Sequence, residues 1–236
     1  DKMTDALTQG DQAKFEEYDD KLGFYTPILK GFLTELGLEA ANHGMQVFGG
    51  HGYIKEHGME QIARDARIAT LYEGTTGVQA LDLIGRKVLL SSKGKVVRDY
   101  TAEILRFCGR HAPNKYMRRF AWDLTKICAQ WNALTVRLML AARKDRDIVS
   151  SASVDFLMFS GYAMMAYYWA QQAAVASEKL ESGNGAETPE FYKAKIKVAD
   201  FYFERILPRT QGHAEAMVNP SKTMMSLAPE HFSFDY

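Results

Sequence analysis

Hydrophobic positions repeat with a helical period along most of this chain. Segments between clusters of Gly, Pro, Asn and Ser mostly exceed about ten residues and lack the strict alternation of a half-buried strand. In the segment after Thr26-Pro27, the apolar positions recur with the spacing of one helix face. These positions are Ile28, Leu29, Phe32, Leu33, Leu36 and Ala40. The pattern predicts an all-α fold, a helical bundle followed by a second helical domain.

Capping residues predict where the helices begin and end. Thr26 followed by Pro27 is typical of an N-cap and a first-turn proline, so a helix is expected to start there and to stop at Gly49-Gly50. A short helix is expected at residues 59–66, and Thr75 or Thr76 can cap the next one. Thr188-Pro189 repeats the pairing of cap and proline.

A small polar run, Ser91-Ser92-Lys93-Gly94, is the candidate boundary between two helical units, residues 1–90 and residues 95–236. The second unit should hold four or five helices and end in an extended or weakly helical tail at residues 218–236. Breaks are expected at 109–114, 144–147, 181–189 and 207–208.

Composition and charge narrow the class of protein. The 236 residues are 47% hydrophobic and 25% charged, with 29 basic and 29 acidic side chains, so no overall field favours nucleic acid. Residues 156–176 carry no charge and are long enough to cross a bilayer. Polar groups within them favour a helix that is buried on all sides, so no membrane is expected. Cys108 and Cys128 are interpreted as reduced and packed, in a cytoplasmic setting.

The densest glycine cluster runs from Gln46 to Tyr53 and includes Gly49, Gly50 and Gly52. Glycines there would let a backbone or a flat ligand come close, and their amides could bind phosphate. Alternatively, Gly49 and Gly50 only end a helix. No strand precedes the cluster, so it is not a dinucleotide fingerprint.

A second candidate site centres on Glu73, between Tyr72 and Gly74 at a helix entrance. A carboxylate partly shielded from water by Tyr72 would be a stronger base, which suits proton abstraction near neutral pH. Alternatively, Glu73 is a first-turn acid that the helix dipole favours.

Other polar clusters suggest no chemistry of their own. The segment Arg64-Asp65-Ala66-Arg67 is typical of a structural ion-pair network. His43, His51 and His57 lack the spacing of a helical ligand pair, so no metal site is expected. Neither a phosphate-binding loop nor a serine-nucleophile motif is present.

Taken together, three motifs resemble the carboxy-terminal helical region of acyl-CoA dehydrogenases in their order and spacing. They are Gln46-x-Phe48-Gly49-Gly50-His51-Gly52-Tyr53, Arg64-Asp65-Ala66-Arg67 and Tyr72-Glu73-Gly74-Thr75. The resemblance is densest over residues 24–89, which would belong to that domain, incomplete at its start. Residues 95–236 resemble the extra helical domain of a longer bacterial subgroup.

The resemblance implies FAD-dependent α,β-dehydrogenation of an acyl-CoA thioester, a reaction of fatty acid metabolism. Glu73 would be the catalytic base, and Glu73 with Gly74 would contact the substrate. The residues expected near FAD are Gln46, Gly49 and Gly50, which would meet the FAD of a neighbouring subunit, and Thr75 and Gly77. The implied partners are an electron-transfer flavoprotein as acceptor and further copies of the chain in a dimer or higher oligomer.

Two domains of that family, the amino-terminal helical domain and the middle β domain, have no counterpart in these residues. We therefore expect a carboxy-terminal fragment that folds but does not dehydrogenate acyl-CoA by itself. The alternative function is a helical oligomerisation or docking module without chemistry of its own.

Overall fold

The computed structural model describes residues 2–232, which form helices joined by short turns, with no strand among them. Seven segments make up the first part of the fold: α1 Lys2–Thr8, α2 Gln12–Val47, α3 Gly50–Tyr53, a 3-10 turn Lys55–His57, α4 Met59–Ala69, α5 Thr76–Leu81 and its π-helical continuation Asp82–Ser91. The all-α prediction is confirmed for this range.

The remaining helices follow the break at residues 92–94. They are α6 Lys95–His111, α7 Arg118–Ala141, α8 Asp147–Ser182, α9 Pro189–Phe201 with a π-helical continuation Tyr202–Ile206, α10 Arg209–Met217, α11 Lys222–Met225 and a 3-10 turn Pro229–Phe232. The expected breaks and the weakly helical tail are confirmed. The last four residues of that tail, 233–236, and Asp1 lie outside the described residues.

Helix α2 begins fifteen residues before the expected start at Thr26-Pro27, so that prediction is wrong. Asp11 caps the helix by accepting from the Lys14 amide at 3.1 Å, and Pro27 lies inside it. An internal proline costs about 3 kcal/mol. Phe24 and Ile28 flank it and are buried to 1% exposure, and burying two such side chains offsets that cost.

Helix α8 is the centre of the bundle and packs against α2, α5, α7, α9 and α10. It is the one helix among residues 2–232 that is long and apolar enough to cross a membrane, and 61% of its most apolar stretch is buried inside the chain. Its surface is not buried on every side, because Tyr168, Gln172 and Val175 are exposed.

One continuous core joins the helices before and after residues 91–94. Phe24, Ile28 and Phe32 of α2 belong to the same buried cluster as Trp131 of α7 and Phe156 of α8. Both cysteines are buried and free, as expected. Burial raises the pKa of the Cys128 thiol to about 12 and also raises the pKa of Cys108.

Candidate active site

Glu73 lies in the short loop between α4 and α5, beside the middle of α2. Its backbone has a φ of 53° and that of Gly74 a φ of 93°, so two successive residues adopt the left-handed region. For a residue with a Cβ this conformation costs roughly 1–2 kcal/mol. The loop is therefore a turn that the surrounding contacts must hold in place.

The Glu73 carboxylate is exposed to solvent. It forms no hydrogen bond and no ion pair with any of residues 2–232. The N-cap of α5 is Thr75, whose side chain accepts from the Val78 amide at 3.4 Å. Glu73 therefore stands two residues before the cap, and the interpretation as a first-turn acid is wrong. Tyr72 is itself 51% exposed, so its ring does not enclose the carboxylate.

Amide groups of the loop are also open. The N–H groups of Glu73 and Gly74 donate to no backbone or side-chain acceptor in the described part of the chain. An unpaired carboxylate and two unpaired amides thus lie on one turn. Such a turn can accept a proton and can donate hydrogen bonds to an oxygen that gains negative charge.

Side chains from α2 and α5 hold this turn in place. The Gln79 amide donates to the Glu73 carbonyl at 3.3 Å, and the Thr76 hydroxyl donates to Glu35 of α2 at 2.5 Å. A Cβ at Gly74 would come within 2.5 Å of the Gln79 nitrogen. Gly74 adopts this positive φ without strain, and a Cβ there would also displace the end of the Gln79 side chain.

The carboxy-terminal end of α4 is fixed just before the turn. The Lys30 ammonium of α2 donates to the Ala69 carbonyl at 2.5 Å and lies 5.5 Å from the centroid of the Tyr72 ring. Thr70 is buried, and its hydroxyl donates to the Arg67 carbonyl at 3.0 Å. The sequence analysis did not identify Lys30 or Glu35, because both lie on α2, about 40 residues before their partners. Gln79 is only six residues from Glu73, but no sequence motif indicated its hydrogen bond.

The motif Arg64-Asp65-Ala66-Arg67 does not form the expected ion-pair network. Within residues 2–232, Arg67 donates to the Thr70 hydroxyl at 2.9 Å, and Asp65 accepts from Gln61 at 2.7 Å. No salt bridge includes Arg64, Asp65 or Arg67 in that range. Helix α4 has no buried residue. Its charged groups are therefore solvated by water and do not need partners from neighbouring helices.

The glycine cluster ends α2, as its simpler interpretation predicted. The helix stops at Val47, and Gly49 has a φ of 59° and donates its amide to Gln46 at 3.0 Å. Gly52 is a packing residue, because a Cβ there would lie 2.4 Å from the Met45 carbonyl oxygen.

Gln46, Gly49 and Gly50 remain exposed. Gly49, Gly50 and Gly77 have open space where a Cβ would stand. A flat ring or a phosphate could approach the backbone at these positions, so they fit the expected nucleotide cofactor.

One chain does not bring the two halves of the expected flavin site together. Glu35, which holds Thr76, precedes Gln46 by eleven residues on α2. This separation places the glycine cluster about 16 Å along the helix from the Glu73 turn. A ligand that used both would need a second copy of the chain or a long reach.

Large apolar side chains are exposed around both motifs. We call the following set the open face: Val47, Phe48, Tyr53, Ile54, Ile62, Ile68, Leu71, Tyr72 and Val78. Exposed apolar side chains in this number can serve protein contacts or ligand sites. His51 and His57 lie beside it with ring centroids 5.3 Å apart. No group of three potential metal ligands occurs among residues 2–232.

Comparison with known families assigns the class of protein. Residues 7–89 match the acyl-CoA dehydrogenase C-terminal domain. Residues 100–228, more than half of the chain, match the acetyl-CoA dehydrogenase C-terminal like domain. The chain therefore belongs to the acyl-CoA dehydrogenase family, as the three motifs predicted.

Three of the similar relatives are bacterial enzymes. The chain is 35% identical to 3-methylmercaptopropionyl-CoA dehydrogenase of Ruegeria pomeroyi over 204 residues, which cover 86% of this chain and 34% of the relative. It is 31% identical to the broad-specificity linear acyl-CoA dehydrogenase FadE5 of Mycobacterium tuberculosis, over 85% of this chain and 34% of the relative. A butyryl-CoA dehydrogenase of Syntrophomonas wolfei is 27% identical over 94% of this chain and 36% of the relative. The chain spans about a third of the length of these relatives.

Proposed function

We propose that this chain supplies the catalytic base for FAD-dependent α,β-dehydrogenation of an acyl-CoA thioester. The observation that carries the proposal is the Glu73 turn, where an unpaired carboxylate stands beside unpaired amides in the described structure. The membership of the chain in the acyl-CoA dehydrogenase family supports the same assignment.

The chemistry needs both features of that turn. A proton on the α carbon of a thioester is weakly acidic unless the carbonyl oxygen is stabilised as it gains negative charge. The Glu73 N–H would donate to that oxygen, and Gly74 leaves room beside it. The Glu73 carboxylate would accept the α proton. When bound, FAD supplies the acceptor for the hydride that leaves the β carbon, and a double bond remains between the two carbons.

The cofactor would lie between copies of the chain. Gln46, Gly49 and Gly50 of one copy would hold the FAD that serves Glu73 of another, with Thr75 and Gly77 near the nucleotide. This arrangement agrees with the distance of about 16 Å that separates the two motifs along α2. It requires a dimer or a higher oligomer, and the open face offers an apolar surface for such contacts. We propose an electron-transfer flavoprotein as the acceptor and the cytoplasm as the location.

A hybrid enzyme tests this function. In the hybrid, the chain replaces the matching carboxy-terminal third of the Ruegeria pomeroyi relative, and the flavin absorbance is followed during anaerobic titration with acyl-CoA thioesters. The unsubstituted hybrid should bleach with one class of acyl chain. Glu73→Gln should keep FAD but lose bleaching, because an amide cannot accept the proton. The 236-residue chain alone should neither retain stoichiometric FAD nor turn over.

A matched variant is Glu56→Gln, which makes the same change in an exposed glutamate outside the Glu73 turn. It should bleach at the unsubstituted rate. If Glu73→Gln also bleached at that rate, the assigned base would be wrong. If the hybrid held FAD and no thioester reduced it, the open face would favour the second candidate, a helical docking module without chemistry.

A further inference from the structure

Lys30 occupies an unusual position for a lysine. It is half-buried on α2, and no carboxylate among residues 2–232 forms an ion pair with it. Its ammonium instead donates to one backbone carbonyl, that of Ala69, at 2.5 Å, and lies 5.5 Å from the centroid of the Tyr72 ring. Partial burial of an ammonium without a counter-ion costs free energy. The contacts with the carbonyl and the ring must offset that cost.

The Ala69 carbonyl is one of the last acceptors of α4. Neighbouring carbonyls at the end of this helix, those of Arg67 and Ile68, accept from the amides of Thr70, Leu71 and Tyr72. No backbone amide of the described chain donates to Ala69 across the helix end. Lys30 therefore provides the missing donor, and its charge also complements the negative end of the helix dipole.

The second contact continues the same restraint into the turn. Tyr72 directly precedes Glu73, and its ring is attracted to the Lys30 ammonium through a cation–π interaction. Lys30 thus restrains the chain at Ala69 and at Tyr72, four residues and one residue before Glu73. Because Glu73 holds an unfavourable positive φ, loss of these restraints would let the turn relax toward other conformations.

We propose that Lys30 is a positioning residue for Glu73: through the Ala69 carbonyl and the Tyr72 ring, it holds the turn in the conformation that presents the carboxylate and the amides of Glu73 together. The inference rests on the proposed function of Glu73. Its structural half, that Lys30 orders the segment that leads into the Glu73 turn, can be measured independently of catalysis.

Hydrogen exchange on the 236-residue chain tests the structural half. Lys30→Met, which keeps the length of the side chain but removes the charge and the donor, should speed amide exchange at Thr70, Leu71 and Tyr72, whose N–H groups donate to carbonyls at the end of α4, by about tenfold or more. Exchange in α6 to α9 should not change. Lys30→Arg should keep the protection, because a guanidinium can donate to the same carbonyl and stack on the same ring.

Lys21→Met is the matched control. Lys21 also lies on α2 and loses one polar contact on substitution, a salt bridge to Glu103 at 3.1 Å, but it is nine residues from Lys30. It should leave exchange at Thr70, Leu71 and Tyr72 unchanged. Unchanged exchange in Lys30→Met would overturn the proposal. So would equal acceleration in Lys21→Met, since Lys30 would then only stabilise α2.

The hybrid enzyme tests the functional half. Lys30→Met should lower the rate constant of flavin reduction by about tenfold or more, because a small displacement of a base is costly, while the Kd of the thioester changes less than about threefold. Lys30→Arg should restore most of the rate.

The two proposals can fail separately. If Glu73→Gln reduces its flavin at the unsubstituted rate, the proposed function is wrong, whatever Lys30 does to hydrogen exchange. If Glu73→Gln abolishes reduction and Lys30→Met reduces as fast as the unsubstituted hybrid, Glu73 stays the base and only the role of Lys30 is wrong.

Discussion

At the scale of single residues, Gly74 carries the geometry of the candidate active site. Its φ of 93° is disfavoured for any residue with a Cβ, and a Cβ there would approach the Gln79 nitrogen to 2.5 Å. Gly74→Ala should therefore lower the free energy of unfolding by about 1–2 kcal/mol. Chemical denaturation of the 236-residue chain measures this change.

Gly77→Ala is the internal control for that substitution. Gly77 lies within α5, and a Cβ there meets nothing within 4 Å. Alanine should raise the free energy of unfolding by roughly 0.5–1 kcal/mol, because glycine is the poorer helix former. Equal effects of the two substitutions on the free energy of unfolding would show that Gly74 does not adopt a positive φ in the folded chain.

Site residues in local motifs could be predicted from the sequence, whereas residues that act through contacts distant in sequence could not. The motifs around Glu73 and Gly49 are local, so the sequence predicted both segments and a cap at Thr75 or Thr76, of which the structure uses Thr75. Lys30 acts on a carbonyl 39 residues away, and Glu35 accepts from a hydroxyl 41 residues away. Such contacts depend on how α2 crosses α4 and α5, which a hydrophobic period does not specify.

At the scale of helices, α2 shows the same limit. Thr26-Pro27 has the residue types of a helix start, but the Thr26 hydroxyl donates to the Leu22 carbonyl at 2.8 Å inside a continuous helix. Burial on both sides of Pro27 decides the outcome, and burial is a property of the whole bundle. The breaks at Gly94 and Gly183 were predictable, because each has a positive φ that glycine adopts without strain.

The crossing of α2 and α8 depends on a glycine. A Cβ at Gly161 would lie 2.1 Å from a ring carbon of Phe32, and both residues are fully buried. Gly161→Ala should lower the free energy of unfolding by about 1–3 kcal/mol or more, since the rigid ring must move. Thermal or chemical unfolding of the chain measures it.

Two further variants make that prediction specific. Gly31→Ala adds a Cβ at the same crossing, 2.8 Å from a methyl group of Leu157. A flexible leucine can turn away, so this change should cost less. Combining Gly161→Ala with Phe32→Leu should recover about 0.5–3 kcal/mol relative to the sum of the single changes. Strict additivity would count against direct contact at this crossing.

At the scale of the whole molecule, the family models end and begin on either side of residues 91–94, yet the core does not divide there. The Phe24 ring lies 5.8 Å from Tyr100 and 6.2 Å from Trp131, centroid to centroid. Phe32 packs edge-on against Tyr162 at 4.9 Å. Arg209 of α10 also pairs with Glu39 of α2 at 2.8 Å. The helices after residue 94 thus cover the buried face of α2.

This arrangement predicts that residues 1–94 do not fold by themselves. Removal of the later helices would expose Phe24, Ile28 and Phe32, each about 1% exposed in the chain. Each such side chain contributes about 1.5–3 kcal/mol when it is buried, so their loss approaches the whole stability of a typical domain. Far-UV circular dichroism and proton NMR of the 1–94 segment should show little helix and poor chemical-shift dispersion.

The intact chain is the control, and it should unfold in one cooperative transition. All three tryptophans, Trp122, Trp131 and Trp169, lie after residue 94, so their fluorescence follows the later helices, whereas hydrogen exchange in α2 follows the earlier ones. Coincident transitions would show that one core stabilises both parts. The prediction would be contradicted if the 1–94 segment were helical with well-dispersed proton chemical shifts. It would also be contradicted if the fluorescence transition were separate from the transition of α2. Either result would mean that the Glu73 turn is stabilised without the later helices.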